Sequence, residues 1–156
     1  GSFSRTFCKD EFSKQNLDAE FVQQSVSYNH NLGTIRGMHW QSKPFAEAKL
    51  VRVTRGSIFD VIVDIRPNSK TFKCWFALEL SANNNKQIYI PEYFAHGFMT
   101  LENDTEVLYE MTANYSPESS HGFVWNDPQV NISWPKVKNI TISSRDSNLG
   151  FLRIKI

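Results

Sequence analysis

Residues 49–67, KLVRVTRGSIFDVIVDIRP, set the fold class. Apolar side chains recur at every second position: Val51 and Val53 fall on one side of an extended run, and Phe59, Val61, Val63 and Ile65 on one side of the next. A period of two built from β-branched and aromatic residues is the mark of half-buried β-strands. Arg55-Gly56 breaks the pattern between the two runs, and Pro67 ends it. Lys49 shares the parity of Val51 and Val53, which points an ammonium group toward an interior. That placement is costly unless the cation meets a carboxylate or an anionic ligand.

Outward from this segment the same pattern repeats. CWFALELS (74–81), KQIYIP (86–91), GFMTLEN (97–103) and TEVLYEMTANY (105–115) are short strands at the spacing of a sandwich or barrel, with ANNN (82–85) as a turn between two of them. Helical periodicity is confined to a short stretch near Lys9 to Ala19. The chain has 156 residues, enough for one sizeable core, so a single mainly β domain over residues 1–156 is expected. Seventeen Lys and Arg stand against 16 Asp and Glu with no run of like charge, which argues against a nucleic-acid groove or a basic membrane face. No apolar stretch reaches membrane-spanning length and none has the form of a signal peptide, so the expected setting is the cytoplasm. Cys8 and Cys74 lie far apart and are expected to be reduced thiols.

The four histidines, His30, His39, His96 and His121, are scattered, whereas a metal-binding barrel needs a ligand cluster. Metal-free chemistry without a cofactor is therefore expected. In NLGTIRGMHWQ (31–41), Arg36 and His39 occupy the middle of a strand, with Lys49 close by in sequence and His96 at the start of another strand in FAHGF. Cationic and titratable groups converging inside a barrel suit a small anionic ligand. Arg36 and His39 are three residues apart, so a regular strand sends them to opposite faces. Gly37 lies between them, and a bulge there would bring both to one cavity.

RGMHWQ, AKLVRVTRGSIFDVIVDIRPNS, LSANNNKQIYIPEYFAHGFMTL, YEMTANYSP and WNDPQVNISWP, in this order from about Phe7 to Asp146, closely resemble the dTDP-4-dehydrorhamnose 3,5-epimerase family. The resemblance implies a cupin-like jelly roll, usually a homodimer, that takes a nucleotide-linked 4-keto sugar in deoxysugar and surface polysaccharide synthesis. It also implies site residues. His39 matches the family's base, and Asp146 the carboxylate that fixes the histidine tautomer. Tyr109 matches the acid on the opposite face of the sugar, and Lys49 the cation beside the enolate oxygen. Arg36, His96, Tyr115, Gln23, Ser27 and Arg145 match residues that hold the substrate, Tyr115 by stacking on the nucleotide base. Three positions depart from the family pattern: Arg5 and Ser120 stand where it has glutamates, and Arg145 where it has lysine. Gln23, Ser25 and Ser27 follow its Gln-x-Asn-x-Ser contact with serine in place of asparagine. These changes surround the ligand and spare the acid and base, which leaves another nucleotide, another 4-keto sugar, or single epimerisation at carbon 3 or carbon 5 as the alternatives. A non-catalytic sugar-nucleotide-binding barrel would keep Arg36 and Tyr115 but has no use for His39, Asp146 and Tyr109 together.

Overall fold

The computed structural model describes residues 1–154. Two sheets face each other. The first takes β1 (Gln23–Asn29), β3 (Lys49–Arg55), β6 (Gln87–Ile90) and β8 (Thr105–Met111), in the order β1-β8-β3-β6. The second takes β2 (Thr34–Gln41), β4 (Ser57–Asp64), β5 (Trp75–Ser81), β7 (Phe94–Thr100) and β10 (Thr141–Ile142), in the order β10-β2-β7-β4-β5, with β9 (Ser120–Gly122) also on β2. Pairing is antiparallel throughout except where β10 joins β2 in parallel. This is the mainly β arrangement that the alternation predicts, in the cupin-like form that the family resemblance implies.

The two strands of segment 49–67 form on either side of Gly56, but they do not pair with each other. β3 lies between β8 and β6, and β4 between β7 and β5, so the chain changes sheets at Gly56. A Cβ at this residue would lie 2.4 Å from Thr105 Oγ1, and its φ is +75°, so glycine is what allows the corner.

Between the sheets Val51, Val53, Ile58, Leu80, Ile90, Phe98 and Val107 form one core. The face that carries Phe59, Val61, Val63 and Ile65 looks the other way. It packs with Met38, Ala95, Phe123, Val130, Ile132 and Leu152 into a second core, covered by the chain after β9. β4 is thus buried on both faces, and its even-numbered residues Ile58, Asp60 and Ile62 are the ones turned to the barrel interior.

The helix expected near Lys9 to Ala19 spans only Lys9–Lys14, named α1. Gln15 and Asn16 close it by donating to Phe12 O and Ser13 O, and Asn16 takes a φ of +55° that no helix continues. Its Phe12 meets Phe7, Phe21 and Tyr89 edge to face, which fixes the N-terminal segment against β6. A second short helix, α2 (Ser144–Ser147), has no apolar period to announce it. Ser143 caps it by accepting the Asp146 N–H at 3.0 Å.

Candidate active site

β2 and β7 run side by side, with Arg36 opposite Phe98 and His39 opposite His96. From one pair to the other β2 advances three residues and β7 two, so β2 bulges by one residue at Gly37. The bulge resolves the parity conflict, since Arg36 and His39 now reach the same cavity. Gly37 has a φ of +115°, and a Cβ there would stand 2.6 Å from Gly97 Cα and 2.8 Å from His96 O. The two backbones approach that closely because neither carries a side chain at the contact.

The cavity has a volume of about 480 Å³ and is walled by Arg36, His39, Lys49, His96, Tyr109 and Ser27, among others. Lys49 enters it from β3, and Tyr109 stands opposite Val51 in β8, on the interior side that parity assigns to both. A smaller pocket of about 170 Å³ adjoins it, sharing His39 and Lys49 and adding Tyr115, Ser120, Arg145 and Glu47. Of the residues singled out from sequence, Asp146 lines neither, standing behind His39, and nor does Gln23. It accepts the Tyr115 N–H at 2.8 Å and so supports the loop that presents that ring.

His39 is one-third exposed (32 %), and its Nε2 lies 2.8 Å from Oδ1 of the nearly buried Asp146 (3 %). This leaves Nδ1 as the nitrogen available for a proton from a ligand. Burial works to raise the Asp146 carboxyl, but the His39 ring, the Gly37 N–H at 3.2 Å and Arg145 together outweigh it and hold the group below the ordinary carboxylate range. An ionised Asp146 stabilises an imidazolium at His39. Tyr109 behaves in the opposite way: burial, then the Asp60 charge, push its phenol far above the usual tyrosine range, with Arg36 opposing. The phenol stays protonated at any working pH.

Arg145 Nη2 donates to Ser120 Oγ at 3.0 Å, which ties α2 to β9 at the mouth of the smaller pocket. Arg36 Nε donates to Asn29 Oδ1 at 3.1 Å, and Asn29 in turn donates to Ser27 Oγ at 3.2 Å.

Sequence reasoning misses three groups that the fold brings here. Asp60 meets His96 Nε2 at 2.7 Å, a second His–Asp pair more deeply buried than the first. Among the described residues its Oδ2 has no hydrogen-bond partner. Glu47 meets Lys49, and Gln41 meets Glu47. The signal for Asp60 is a lone carboxylate inside the apolar run IFDVIV (58–63), and that for Glu47 is a carboxylate two residues before an inward lysine. Among the described residues no three His, Cys, Asp or Glu side chains gather as a metal ligand set.

A cupin-like barrel whose polar cavity is lined by a histidine backed by a carboxylate, a lysine and a protonated tyrosine has groups able to take up and give protons. The model of the dTDP-4-dehydrorhamnose 3,5-epimerase family matches residues 1–153, and the chain belongs to that family. It is similar to the dTDP-4-dehydrorhamnose 3,5-epimerase of Sinorhizobium fredii, 46% identical over 148 residues that cover 95% of this chain and 76% of the relative. It is also similar to two solved structures. The dTDP-4-dehydrorhamnose 3,5-epimerase of Bacillus anthracis, with TDP and PPi bound, has a TM-score of 0.92 and 42% identity over 96% of this chain and 85% of the other. The dTDP-6-deoxy-D-glucose-3,5-epimerase of Legionella pneumophila, in complex with dTDP-4-keto-L-rhamnose, has a TM-score of 0.91 and 36% identity over 96% and 79%.

Proposed function

We propose that the protein inverts carbons 3 and 5 of a dTDP-linked 4-keto-6-deoxyhexose by proton transfer through an enolate. The carbonyl at carbon 4 acidifies the hydrogens on both neighbouring carbons. His39 removes one of them and becomes an imidazolium facing the Asp146 carboxylate. The electron pair moves onto the carbonyl oxygen, where Lys49 meets the charge as it develops. Tyr109 then delivers a proton to the opposite face of the carbon, and solvent restores the proton to the phenol and removes the one on His39. The sequence repeats at the second carbon, and no metal or cofactor is required. Arg36, His96, Ser27, Tyr115 and Arg145 hold the nucleotide sugar, with Tyr115 against the base and Gln23 supporting its loop.

The observation that carries this reading is the shared cavity: His39, the Lys49 ammonium and the protonated Tyr109 all border the same 480 Å³, with Asp146 behind His39 on its far ring nitrogen. A barrel that only binds sugar nucleotides has no need of that set. The chain acts as a homodimer. In support, β1 is a sheet edge on which Val26 and Tyr28 are 57 % and 41 % exposed beside the cavity mouth. The cytoplasm is the proposed setting, consistent with two unpaired cysteines and with no helix among the described residues long and apolar enough to cross a membrane.

Incubation with dTDP-4-keto-6-deoxyglucose in deuterium oxide tests the proposal. Two deuterons per sugar, assigned by NMR to carbons 3 and 5, are expected. One deuteron indicates a mono-epimerase, and none means that the cavity binds without catalysing.

A further inference from the structure

Glu47 lies in the loop before β3 and lines the smaller pocket. Its Oε1 is 3.0 Å from Lys49 Nζ, and the two side chains are only 10 % and 11 % exposed. Its Oε2 accepts from Gln41 Nε2 at 3.1 Å. Gln41, at the end of β2, is itself buried and makes three further bonds. The two hydrogens of that Nε2 are shared between Glu47 and two backbone acceptors, Phe45 O at 3.0 Å and Asn114 O at 3.2 Å, and Oε1 accepts the Ser116 N–H at 2.6 Å. One amide therefore ties the loop before β3, the carboxylate on Lys49 and the segment that carries Tyr115.

A buried ion pair contributes little net stability, because the desolvation of two charges offsets their attraction. Its value here is geometric. Lysine has a flexible four-carbon stem and three rotatable donors, and an unrestrained ammonium in an open cavity samples many positions. Glu47 takes one of the three donors and leaves two for the cavity. We propose that Glu47 is a positioning residue: it holds the Lys49 ammonium where the enolate oxygen forms, and through Gln41 it couples that position to the loop of Tyr115. The inference rests on the reading of Lys49 given above. It assigns to Glu47 no contact with substrate and no proton transfer.

Glu47→Gln removes the charge while keeping an acceptor for Gln41, and Glu47→Asp keeps the charge but draws it back by one methylene. Both are measured in the wild-type and Lys49→Met backgrounds, with solvent-deuterium incorporation as the readout over hours to days so that slow variants still yield a rate. Lys49→Met alone reports on the role of Lys49, and wild-type rates for it would overturn that reading irrespective of Glu47. With Lys49 present, Glu47→Gln is expected to lower kcat about tenfold with KM within about twofold, since misplacement by an ångström costs up to about a hundredfold. Glu47→Asp is expected to fall between wild type and Gln. In the Lys49→Met background the effect of either Glu47 change is expected to vanish, because the two residues act as one unit. An equal loss in both backgrounds, an effect confined to KM, or an aspartate variant slower than the glutamine variant overturns the proposal. Should the glutamine variant not fold, the aspartate variant in the two backgrounds decides alone.

Discussion

The two proposed proton-transfer groups make separable demands on a substituted protein. His39→Asn retains a polar amide but no base, and turnover is expected to fall by about three orders of magnitude with the melting temperature little changed. Asp146→Asn leaves an imidazole with the wrong hydrogen-bond partner, and a loss of at least about a hundredfold is expected from the tautomer it then favours. Wild-type rates in either variant would remove the base assignment. Tyr109→Phe separates the two half-reactions. With His39 intact, deuterium still enters from the histidine side with configuration retained, while inversion stops. NMR of the recovered sugar distinguishes exchange from inversion, and continued inversion would exclude Tyr109 as the acid. His39, Lys49 and Arg36 were legible in the sequence because each is a polar residue in a strand position that a core reserves for apolar ones. Asp60 was not, because its pairing with His96 is set by register between strands distant in sequence, and Glu47 was not, because a loop residue has no strand parity to fix where its side chain points.

Among the elements, β2 depends on its bulge. Gly37→Ala would force a Cβ against the Gly97 backbone at a φ that L-residues rarely adopt. A loss of about 3 kcal/mol in urea unfolding is expected, together with loss of activity as Arg36 and His39 part. A variant as stable and active as wild type would show that the strand reaches the cavity in another way. The bend after β4 relies on charge. Asp64 accepts from Arg66 through both oxygens, at 2.9 and 2.7 Å, and from Ser69 and Thr71 at 2.5 and 2.7 Å. The Arg66 pairing foremost, then the hydroxyls, hold its carboxyl well below the ordinary range against the effect of burial. A depressed carboxylate contributes stability above its unfolded pKa of about 4 and loses it as pH falls toward the folded value. Asp64→Asn is therefore expected to destabilise by about 2 kcal/mol at pH 7, with the difference from wild type shrinking in acid. A gap independent of pH would locate the effect in packing. Strand alternation made β3 and β4 readable, and Gly37 flagged the bulge. What alternation could not supply was which sheet each strand joins, because a period of two names two faces without naming what covers them. For the same reason the core side of β4 was legible only in part, both of its faces being apolar or buried.

For the molecule as a whole, assembly and metal content are measurable directly. Sedimentation is expected to give twice the chain mass. Val26→Asp on the exposed β1 edge should shift the protein toward monomer and weaken turnover, since the cavity mouth adjoins that strand. A wild-type monomer with full activity would contradict this. Extended dialysis against a chelator should change neither rate nor melting temperature, given the absence of a ligand cluster among the described residues. A loss reversed by a divalent cation would point to a site formed in some other way.

The burial of β4 and β7 between two cores also orders the molecule in time. Their amides are hydrogen-bonded on both edges, between β2 and β5, and lie beneath side chains on both faces. Exchange of those protons with solvent requires the sheet to come apart, whereas β1 pairs, among the described residues, with β8 alone, so its other edge is left to the second subunit of the proposed dimer. His96 sits in the slowest layer, and Ser27 on the edge strand. One wall of the cavity is thus set on a scaffold that opens only with global unfolding, and the wall that faces it is expected to exchange slowly only while the subunits stay together.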